Sequence, residues 1–474
     1  MEKQNSDEFR HKIIIEPVHG DIGLSKLETE LIDTATFQRL KGIKQLAFAH
    51  TVYPNARHTR FEHSLGVMHI TSRMLESFTR KFSQDDVQKL RLGALLHDIG
   101  HYPYSHLMEK IDWDYAKKYF TKRSGTSKEV TSDIPKEYPK HEKLGATVIV
   151  KRKDIKEKLG EYNIIAPEEI AALITGQHES LPNFLSATLD TDRLDYLLRD
   201  SLNTGLPYGK VDLNYIVNNL ELSQNNEVLV RAKAANSIEH MLLGRYFMFN
   251  TVYMHKTVFG FEEMVRRIVV MLWKQGKIPH SGEDIEKMAE DDSDEFLRFN
   301  DGYLDEKIRV SAENRRDKAL ATLCKAVLFR KPPKLVYQIS ALKENNKLDA
   351  KTGEKYALLT RRQESLQKEL VKEFHVPKEQ WFFRDIKGPL FEKLHPLVTL
   401  QQARQGQEEE AIRELVKVRK PSGEIVNLVE QERSILHYLS QLTPVLYRIY
   451  VVGIDNTKAP QVNKYIDKWL ESNR

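Results

Sequence analysis

Histidine is concentrated in one stretch of this chain. The sequence holds 17 histidines among 474 residues, and uniform spacing would place about two of them between positions 50 and 106. That stretch instead contains His50, His58, His63, His69, His97, His101 and His106. Imidazole binds metal ions and transfers protons near neutral pH. The clustering therefore favours a metal or acid–base site over isolated structural histidines.

Two of the polar candidates continue the apolar face of a predicted helix. Ser83 is a typical helix start and Gly100 a typical stop. His97 and Asp98 follow the apolar Ala94 by three and four residues, so both point toward the core. A buried carboxylate is costly unless it is paired or metal-bound, so Asp98 is expected to have a partner. A hydrogen-bonded His–Asp pair that only orders the core is the alternative.

Two further segments contribute candidate ligands. His63 lies near the start of a predicted helix in the segment ARHTRFEHSLGV, and Asp192 lies in the helical segment DTDRLDYLLRD. One stripe of the second helix carries Asp192, Tyr196, Arg199 and Asp200. A helix face that combines carboxylate, phenol and guanidinium is more typical of a site than of a solvated surface.

Composition and charge limit the function classes. Apolar residues make up 40% and charged residues 30% of the chain, which predicts a folded, soluble protein. The net charge of +5 permits nucleic-acid binding without indicating it. A single cysteine, Cys324, excludes an internal disulfide, and the N-terminus lacks the apolar stretch of a signal peptide. We therefore expect a cytoplasmic protein with no membrane partner.

The helical patterns predict a mainly α fold. A helical core is predicted for residues 1–335 and a smaller C-terminal α/β lobe for residues 336–474. Segment predictions are a loop or lid at Lys117 to Lys140, a charged helix at Leu358 to Glu373, a helix near Glu432 to Leu442, and β-rich segments at Glu424 to Glu430 and Leu446 to Gly453.

The ordered motifs resemble those of a known enzyme family. His63, the His97-Asp98 pair and Asp192 match the H…HD…D pattern of HD-domain phosphohydrolases. The segments PVHGDI, IDTATFQRLKGIKQL, YPNARHTRFEHSLGV, LLHDIGHYPYSH, KHEKLG, DRLDYLLRD and YMHK occur in the order of the deoxynucleoside triphosphate triphosphohydrolases. The resemblance covers about residues 12 to 335 and is greatest to the branch that also carries a SAM domain. Only about a dozen residues precede the motifs, so we expect no SAM domain here.

The resemblance implies an HD-type helical core and a metal-dependent reaction. Members of the resembled family hydrolyse a dNTP to a deoxynucleoside and inorganic triphosphate. The implied ligands of a divalent ion are His63, His97, Asp98 and Asp192. This mixed N/O set suits Mn, Fe, Zn, Ni or Mg, and Mg can also accompany the bound nucleotide. Two alternatives remain open: an HD phosphohydrolase acting on nucleoside monophosphates or other phosphoesters, and a nucleic-acid-binding protein with a vestigial HD site.

The resemblance also implies catalytic and substrate-binding residues. His101 and His141 match the acid–base histidines, and Glu109 stands where relatives have an Asp that supports the first of them. The implied substrate contacts are Arg60 and His106 for the α-phosphate, Arg193, Tyr196 and Arg245 for the β- and γ-phosphates, and Gln45, Leu46, Asp200 and Tyr253 for the sugar. The base-facing position is Met254, where the SAM-and-HD-domain enzyme has Gln, so the base preference stays open.

Relatives bind regulatory nucleotides between subunits, which implies a homo-oligomer, with a tetramer favoured. Residues that match these sites are Lys12, Asp33, Gln38, Arg330 and Lys334 for one pocket, and Arg231, Lys233, His255 and Lys256 for the other. Other positions of both pockets differ from the relatives, including Lys41 where an Arg reads guanine. The sequence therefore predicts an activating nucleotide without identifying it.

Overall fold

The computed structural model describes residues 8–109, 111, 137–162, 165–185, 189–279, 281–344, 347–386, 416–431, 433–439 and 442–473. The chain divides into two compact units. Unit 1 comprises Met1–Gly244, Val269–Lys307 and Val418–Glu424, and unit 2 comprises Arg245–Ile268, Ile308–Lys417 and Ile425–Arg474. The domain boundary expected after residue 335 stays a prediction.

Helices dominate the described residues, which confirms the mainly α fold. The first helices are α1 Lys26–Ile32, α2 Ala35–Gln38, α3 Arg60–Ser77, α4 Gln84–Leu96, α5 His106–Glu109, α6 His141–Lys151, α7 Lys153–Gly160, α8 Pro167–Ile174, α9 Thr191–Thr204 and α10 Leu213–Val217. The later ones are α11 Ala235–Met248, α12 Lys256–Lys274, α13 Gly282–Glu290, α14 Asp294–Arg298, α15 Asp301–Ala312, α16 Lys318–Leu328, α17 Ala350–Arg361, α18 Gln363–Phe374, α19 Ile435–Leu439 and α20 Ala459–Ser472.

Strands and short helical turns complete the described elements. The strands are β1 Lys12–Glu16, β2 Gly20–Leu24, β3 Leu220–Leu222, β4 Val228–Arg231, β5 Lys334–Glu344, β6 Trp381–Ile386, β7 Lys417–Arg419, β8 Ile425–Asn427 and β9 Leu442–Val451. Turns of 3-10 helix are Glu8–Arg10, Arg39–Gly42, Ala49–Thr51, Ala232–Ala234, Lys378–Gln380 and Leu428–Glu430, and Phe249–Tyr253 forms a π-helical turn.

Side-chain caps fix where the helices of the site begin. The N-cap residues are Thr59 for α3, Ser83 for α4 and Asp190 for α9, and each side chain accepts a backbone N–H of the first turn. The start predicted at Ser83 is therefore confirmed. Helix α4 ends at Leu96, before the stop expected at Gly100, and His97 caps it. His97 and Asp98 thus lie in the turn that follows α4, still buried.

Helix packing in unit 1 brings the candidate residues together. Helix α3 packs against both α4 and α9, while α8 packs against α4 and α6. Gly100 allows the start of α6 to come close, because a Cβ at this position would lie 2.3 Å from the carbonyl oxygen of His141 and 2.2 Å from the backbone nitrogen of Gly145. The need for glycine here comes from this close approach.

The remaining strands of unit 1 form small sheets. β1 and β2 form an antiparallel hairpin with Lys12 opposite Leu24. β3 pairs antiparallel with β4, and β4 pairs in parallel with residues Val418 and Arg419 of β7. The hairpin of β1 and β2 is thus a separate two-stranded sheet. Its turn, residues 17–19, is held by the Glu16 side chain, which accepts from the backbone N–H groups of Val18 and His19.

Unit 2 contains an antiparallel sheet in the order β5–β9–β6. α20 packs against β5 and against α17 and α18, and the shared core includes Trp381, Tyr447 and Leu359. The helix expected from Leu358 to Glu373 consists of two helices, because Arg362 leaves the helical conformation with φ −112° and ψ 22°. The β-rich segments predicted in this lobe correspond to β8 and β9.

Two sequence predictions fall partly on residues outside those described. The loop or lid expected at Lys117 to Lys140 is described only from residue 137, directly before α6. The helix expected near Glu432 to Leu442 corresponds to α19, with residues 432, 440 and 441 outside the described ranges. Among the described helices, none has the length and apolarity required to cross a membrane.

Candidate active site

His63, in the first turns of α3, is fully buried between two carboxylates of α9. Its Nε2 lies 2.9 Å from Asp192 Oδ1, and its Nδ1 lies 2.7 Å from Asp195 Oδ2. Burial alone would lower the pKa of His63, but hydrogen bonds and charges from these two carboxylates raise it to about 9. The ring thus has one nitrogen directed at each carboxylate.

His97 offers a nitrogen suited to a metal ion. Its Nδ1 donates to the carbonyl oxygen of Ala94 at 2.8 Å, which leaves Nε2 as the nitrogen with the lone pair. That Nε2 is buried and has no hydrogen-bond partner among the described residues. The ring meets the His63 ring edge to face, with centroids 5.2 Å apart. An unpartnered buried acceptor is costly unless a ligand satisfies it.

Asp98 lies between the two groups of histidines. Its Oδ2 accepts from Arg60 at 2.8 Å, and its Oδ1 lies 3.3 Å from His97 Nε2 and 3.2 Å from His101 Nε2. Burial alone would raise the pKa of Asp98, but Arg60, His97 and His101 outweigh it and hold the pKa well below its ordinary value. Asp98 is therefore an ionised buried carboxylate facing two imidazoles.

These four side chains fit a divalent cation. Ligand atoms of His63, His97 and Asp192 lie within 4.8 Å of one another, and Asp98 Oδ2 lies 3.7 Å from His63 Nε2. The set contains two imidazoles and two carboxylates, with the orphaned His97 nitrogen among them. Mixed N/O sets of this kind suit first-row divalent metals and do not select one of them.

The turn that carries Asp98 is held from the other side by Arg39. The Arg39 guanidinium donates to the carbonyl oxygens of Ile99 at 3.3 Å and His101 at 2.5 Å. Arg39 is itself buried and its Nε donates to the carbonyl of Phe299. The motif IDTATFQRLKG therefore contributes a side chain that fixes the backbone of the His97–His101 turn.

A second histidine cluster adjoins the first. The rings of His101 and His141 are stacked, with centroids 4.0 Å apart and planes 15° apart, and His106 meets both edge to face. Glu109 joins two members of this cluster, since its carboxylate accepts from His106 Nδ1 at 2.8 Å and from His141 Nδ1 at 3.2 Å. The sequence led us to expect Glu109 beside His101, and the structure instead places it against His106 and His141.

Opposite environments separate the pKa values of the two stacked rings. Burial, then the charges of Arg60 and His141, hold the pKa of His101 well below its ordinary value. Burial also opposes charge on His141, but Glu109 and Glu142 outweigh it and raise the His141 pKa to about 9. At neutral pH the pair therefore contains one neutral and one protonated imidazole, a combination typical of acid–base sites.

The residues implied for the sugar include a buried polar group. Asp200 Oδ1 lies 2.8 Å from His58 Nε2, and both side chains are buried. The Gln45 backbone N–H donates to the carbonyl oxygen of His58, which places Gln45 and the adjacent Leu46 next to this pair. Gln45 Oε1 and His58 Nδ1 are buried with no hydrogen-bond partner in the described part of the chain.

The implied phosphate contacts are distributed between the units. In unit 1, Arg60 pairs with Asp98, and Arg193 Nε lies 3.4 Å from Asp190 Oδ2, while Tyr196 lies half-buried on α9. The guanidinium groups of Arg60 and Arg193 thus have carboxylate partners in this structure. Arg245, which is buried, and Tyr253, at the end of the π-helical turn, belong to unit 2. The roles of all these residues remain predictions.

The residues implied for regulation also fall in both units. In unit 1, Lys12 lies on β1, Asp33 caps α1, Gln38 donates to the carbonyl of Ile32 at 2.7 Å, Arg231 pairs with Glu221 at 2.7 Å, and Lys233 lies in a 3-10 turn. In unit 2, His255 and Lys256 lie at the start of α12, and Arg330 and Lys334 line a cavity of about 560 Å³ together with Lys325 and Lys331.

Three residues near His63 were not assigned a role from the sequence. Asp195 contacts His63 directly, and His19 Nε2 lies 2.6 Å from Asp195 Oδ1. Arg199, noted only as a member of the polar stripe, donates to both oxygens of Asp195. The i,i+3 spacing of Asp192 and Asp195 on one helix was the available signal, because it places both carboxylates on the same face.

Comparison with known proteins assigns this arrangement to a class. Residues 60–200 match the model of the HD domain, and residues 211–317 match that of the HD associated region. The first range contains all four candidate metal ligands. The chain therefore contains an HD phosphohydrolase domain at residues 60–200.

The individual relatives match only parts of this chain. An uncharacterized protein of Methanocaldococcus jannaschii is 35% identical over 303 residues, which cover 63% of this chain and 57% of that protein. Deoxynucleoside triphosphate triphosphohydrolase SAMHD1 of Homo sapiens is 42% identical over 103 residues, covering 21% of this chain and 16% of that protein. The chain thus spans little more than half the length of the first relative and much less of the second.

A solved structure supports the fold over almost the whole chain. A phosphohydrolase of Bacteroides thetaiotaomicron VPI-5482 matches with a TM-score of 0.68 and 21% identity, covering 94% of this chain and 100% of that one. At this identity the likeness shows the fold alone.

Proposed function

We propose that this protein is a metal-dependent dNTP triphosphohydrolase, which converts a dNTP and water to a deoxynucleoside and inorganic triphosphate. The observation that carries the proposal is the position of Asp98, which lies between the candidate metal ligands and the stacked His101–His141 pair. The local identity to a deoxynucleoside triphosphate triphosphohydrolase supports the choice of substrate. Cleavage at the bond between the α-phosphate and the nucleoside is part of this proposal.

The side chains divide the proton transfers between them. His101 is the base candidate, because its lowered pKa keeps the ring neutral and its Nδ1 has no hydrogen-bond partner among the described residues. Its Nε2 faces Asp98 Oδ1 at 3.2 Å. His141 is the acid candidate, since Glu109 holds its Nδ1–H and leaves Nε2 directed toward Asp98 Oδ1 at 3.9 Å. In this scheme His101 accepts a proton from the attacking water and His141 donates one to the leaving 5′-oxygen.

The metal candidates supply the electrostatic part of the site. His63, His97, Asp98 and Asp192 would hold a divalent cation, which polarises phosphoryl oxygens and orients the reacting groups. The side chains implied for substrate binding by family resemblance are Gln45, Leu46, Arg60, His106, Arg193, Tyr196, Asp200, Arg245 and Tyr253. Regulation by a nucleotide, and assembly into a tetramer, belong to the same proposal and rest on the resemblance of Arg330, Lys334 and the other residues named above.

Product identification tests the proposed reaction. Protein stripped with a chelator is reconstituted with Mn, Fe, Zn, Ni or Mg in turn and incubated with each dNTP, each rNTP and a deoxynucleoside monophosphate. Ion-exchange chromatography is expected to show a deoxynucleoside and triphosphate from dNTPs, only after a metal is restored. Orthophosphate from the monophosphate alone would favour the general phosphohydrolase. Salt-dependent nucleic-acid binding without any hydrolysis would favour the binding protein.

Replacing Tyr253 is expected to relax the preference for deoxyribose. We expect the Tyr253 ring to occupy the space that a 2′-hydroxyl would need. A rigid side chain in that space rejects a ribonucleotide better than an apolar pocket of adaptable shape does. Tyr253→Ala should therefore raise the rNTP-to-dNTP ratio of kcat/KM on the order of tenfold, about 1.4 kcal/mol. Tyr253→Phe keeps the ring and is the matched control, with little change expected in the ratio. Equal losses on both sugars in Tyr253→Ala would contradict the assignment.

A further inference from the structure

A buried ion network holds His63 on the side away from His97 and Asp98. Its centre is Asp195, whose carboxylate accepts from His63 Nδ1 at 2.7 Å, from His19 Nε2 at 2.6 Å, and from Arg199 Nε and Nη2 at 2.8 and 2.9 Å. None of these four side chains is more than 2% exposed. Every hydrogen-bond donor that contacts Asp195 is therefore shielded from water. Hydrogen bonds are stronger in such a buried, low-dielectric environment than in water.

The hairpin of β1 and β2 supplies part of this network. Glu16, the last residue of β1, accepts from Arg199 Nη1 and from the backbone N–H groups of Val18 and His19 at 3.0 and 2.9 Å. The turn between the two strands thus presents His19 to Asp195 and Glu16 to Arg199. The motif PVHGDI, which contains this turn, is explained by contacts made behind a candidate metal ligand.

Helix α3 leaves room for the network at Gly66, three residues after His63. A Cβ at Gly66 would lie 1.9 Å from Asp195 Oδ1 and 2.5 Å from Arg199 Nη2. Any other residue would force the carboxylate away from its present position. The absence of a side chain at Gly66 is therefore required for Asp195 and Arg199 to occupy their present positions beside α3.

We propose that Asp195 is a positioning residue of the metal centre, with His19 and Arg199 holding it in place. The ionised Asp195 can only accept, so His63 donates Nδ1–H to it, and this fixes Nε2 as the nitrogen available to a cation beside Asp192. A carboxylate on the distal nitrogen also makes the imidazole a better ligand. The inference rests on the proposed function, because that proposal makes His63 a metal ligand.

Metal affinity of stripped full-length protein tests the inference. Asp195→Asn keeps the shape of the side chain but lacks its charge, and the dissociation constant for Mn or Zn, measured by competition with a chromophoric chelator, should rise about 10- to 100-fold. His19→Gln should raise it less. The control Glu28→Gln removes an equally buried carboxylate that pairs with Arg91 at 2.7 Å in the same unit, and should leave the affinity within about twofold.

Thermal unfolding of the three variants separates positioning from general stability. Asp195→Asn and Glu28→Gln should both lower the Tm, and only the first should weaken metal binding. Equal metal affinity in wild type and Asp195→Asn, or an equal loss in Glu28→Gln, would overturn the positioning role while leaving the proposed function in place. If Asp195→Asn does not fold, His19→Gln decides, and an unchanged affinity there overturns it. A wild-type protein that binds no metal refutes the proposed function itself.

Discussion

Replacing His97 with Ala is expected to reduce turnover severely while leaving the fold intact. The ring donates one hydrogen bond, to the carbonyl of Ala94, and its Nε2 has no hydrogen-bond partner among the described residues. Loss of a metal ligand removes transition-state stabilisation of about 4 kcal/mol, so kcat should fall on the order of a thousandfold. Steady-state hydrolysis of dNTPs with metal-reconstituted protein measures the effect, and metal content per chain measures its cause.

The control for this variant removes a histidine with a similar backbone contact elsewhere. His437 Nδ1 donates to the carbonyl of Val429 at 3.0 Å, in unit 2. His437→Ala should keep metal content and kcat near the wild-type values. If His97→Ala retained a tenth or more of wild-type turnover with full metal content, the ion would have to be held by other side chains.

The candidate metal ligands could be predicted from the sequence because local signals position them. The cap at Ser83 fixes the start of α4, and the apolar spacing then directs His97 and Asp98 inward. For His63 and Asp192 the ordered motifs gave the pairing that helix periodicity alone does not. A helix can be predicted from its own residues, whereas a contact between helices needs information from both.

The contacts that sequence reasoning missed are tertiary or depend on backbone geometry. His19 reaches Asp195 across 176 positions, which no local pattern reports. Glu109 was expected to support His101, but Tyr104 and Ser105, which both have a φ of 55°, form a turn between His101 and α5. His106 and Glu109 then lie one turn apart on that helix, so the carboxylate meets His106.

The extent of the helices was predicted less well than their existence. Arg362 divides one expected helix into α17 and α18, although its neighbours on both sides are strong helix formers. α4 likewise ends before Gly100, where the close approach of α6 requires glycine. At Gly100 the close approach of α6 is a tertiary constraint that the local pattern does not contain, and at Arg362 the break is a local change of backbone conformation that the residue types do not signal.

Replacing Glu109 with Gln is expected to lower kcat by about a hundredfold, with a smaller change in KM. The carboxylate holds Nδ1–H of both His106 and His141, and its charge is the largest influence that keeps His141 protonated against burial. The amide of Gln preserves the size of the side chain and removes the charge. His141 would then lose its proton more readily and donate it less often to the leaving oxygen.

The pH dependence distinguishes this role from a structural one. An acid must be protonated to act, so activity is lost as the pH rises through its pKa. The pKa of His141 is raised to about 9, and Glu109 contributes most to raising it. In Glu109→Gln the alkaline fall in kcat should therefore begin at lower pH than in the wild type. Glu142 Oε2 also lies near His141 Nδ1, at 3.4 Å, but its side chain is 41% exposed, so Glu142→Gln should shift the profile much less because water screens its charge. An unchanged alkaline limb in Glu109→Gln, with kcat still reduced, would show that the carboxylate orders the histidine cluster without controlling its proton.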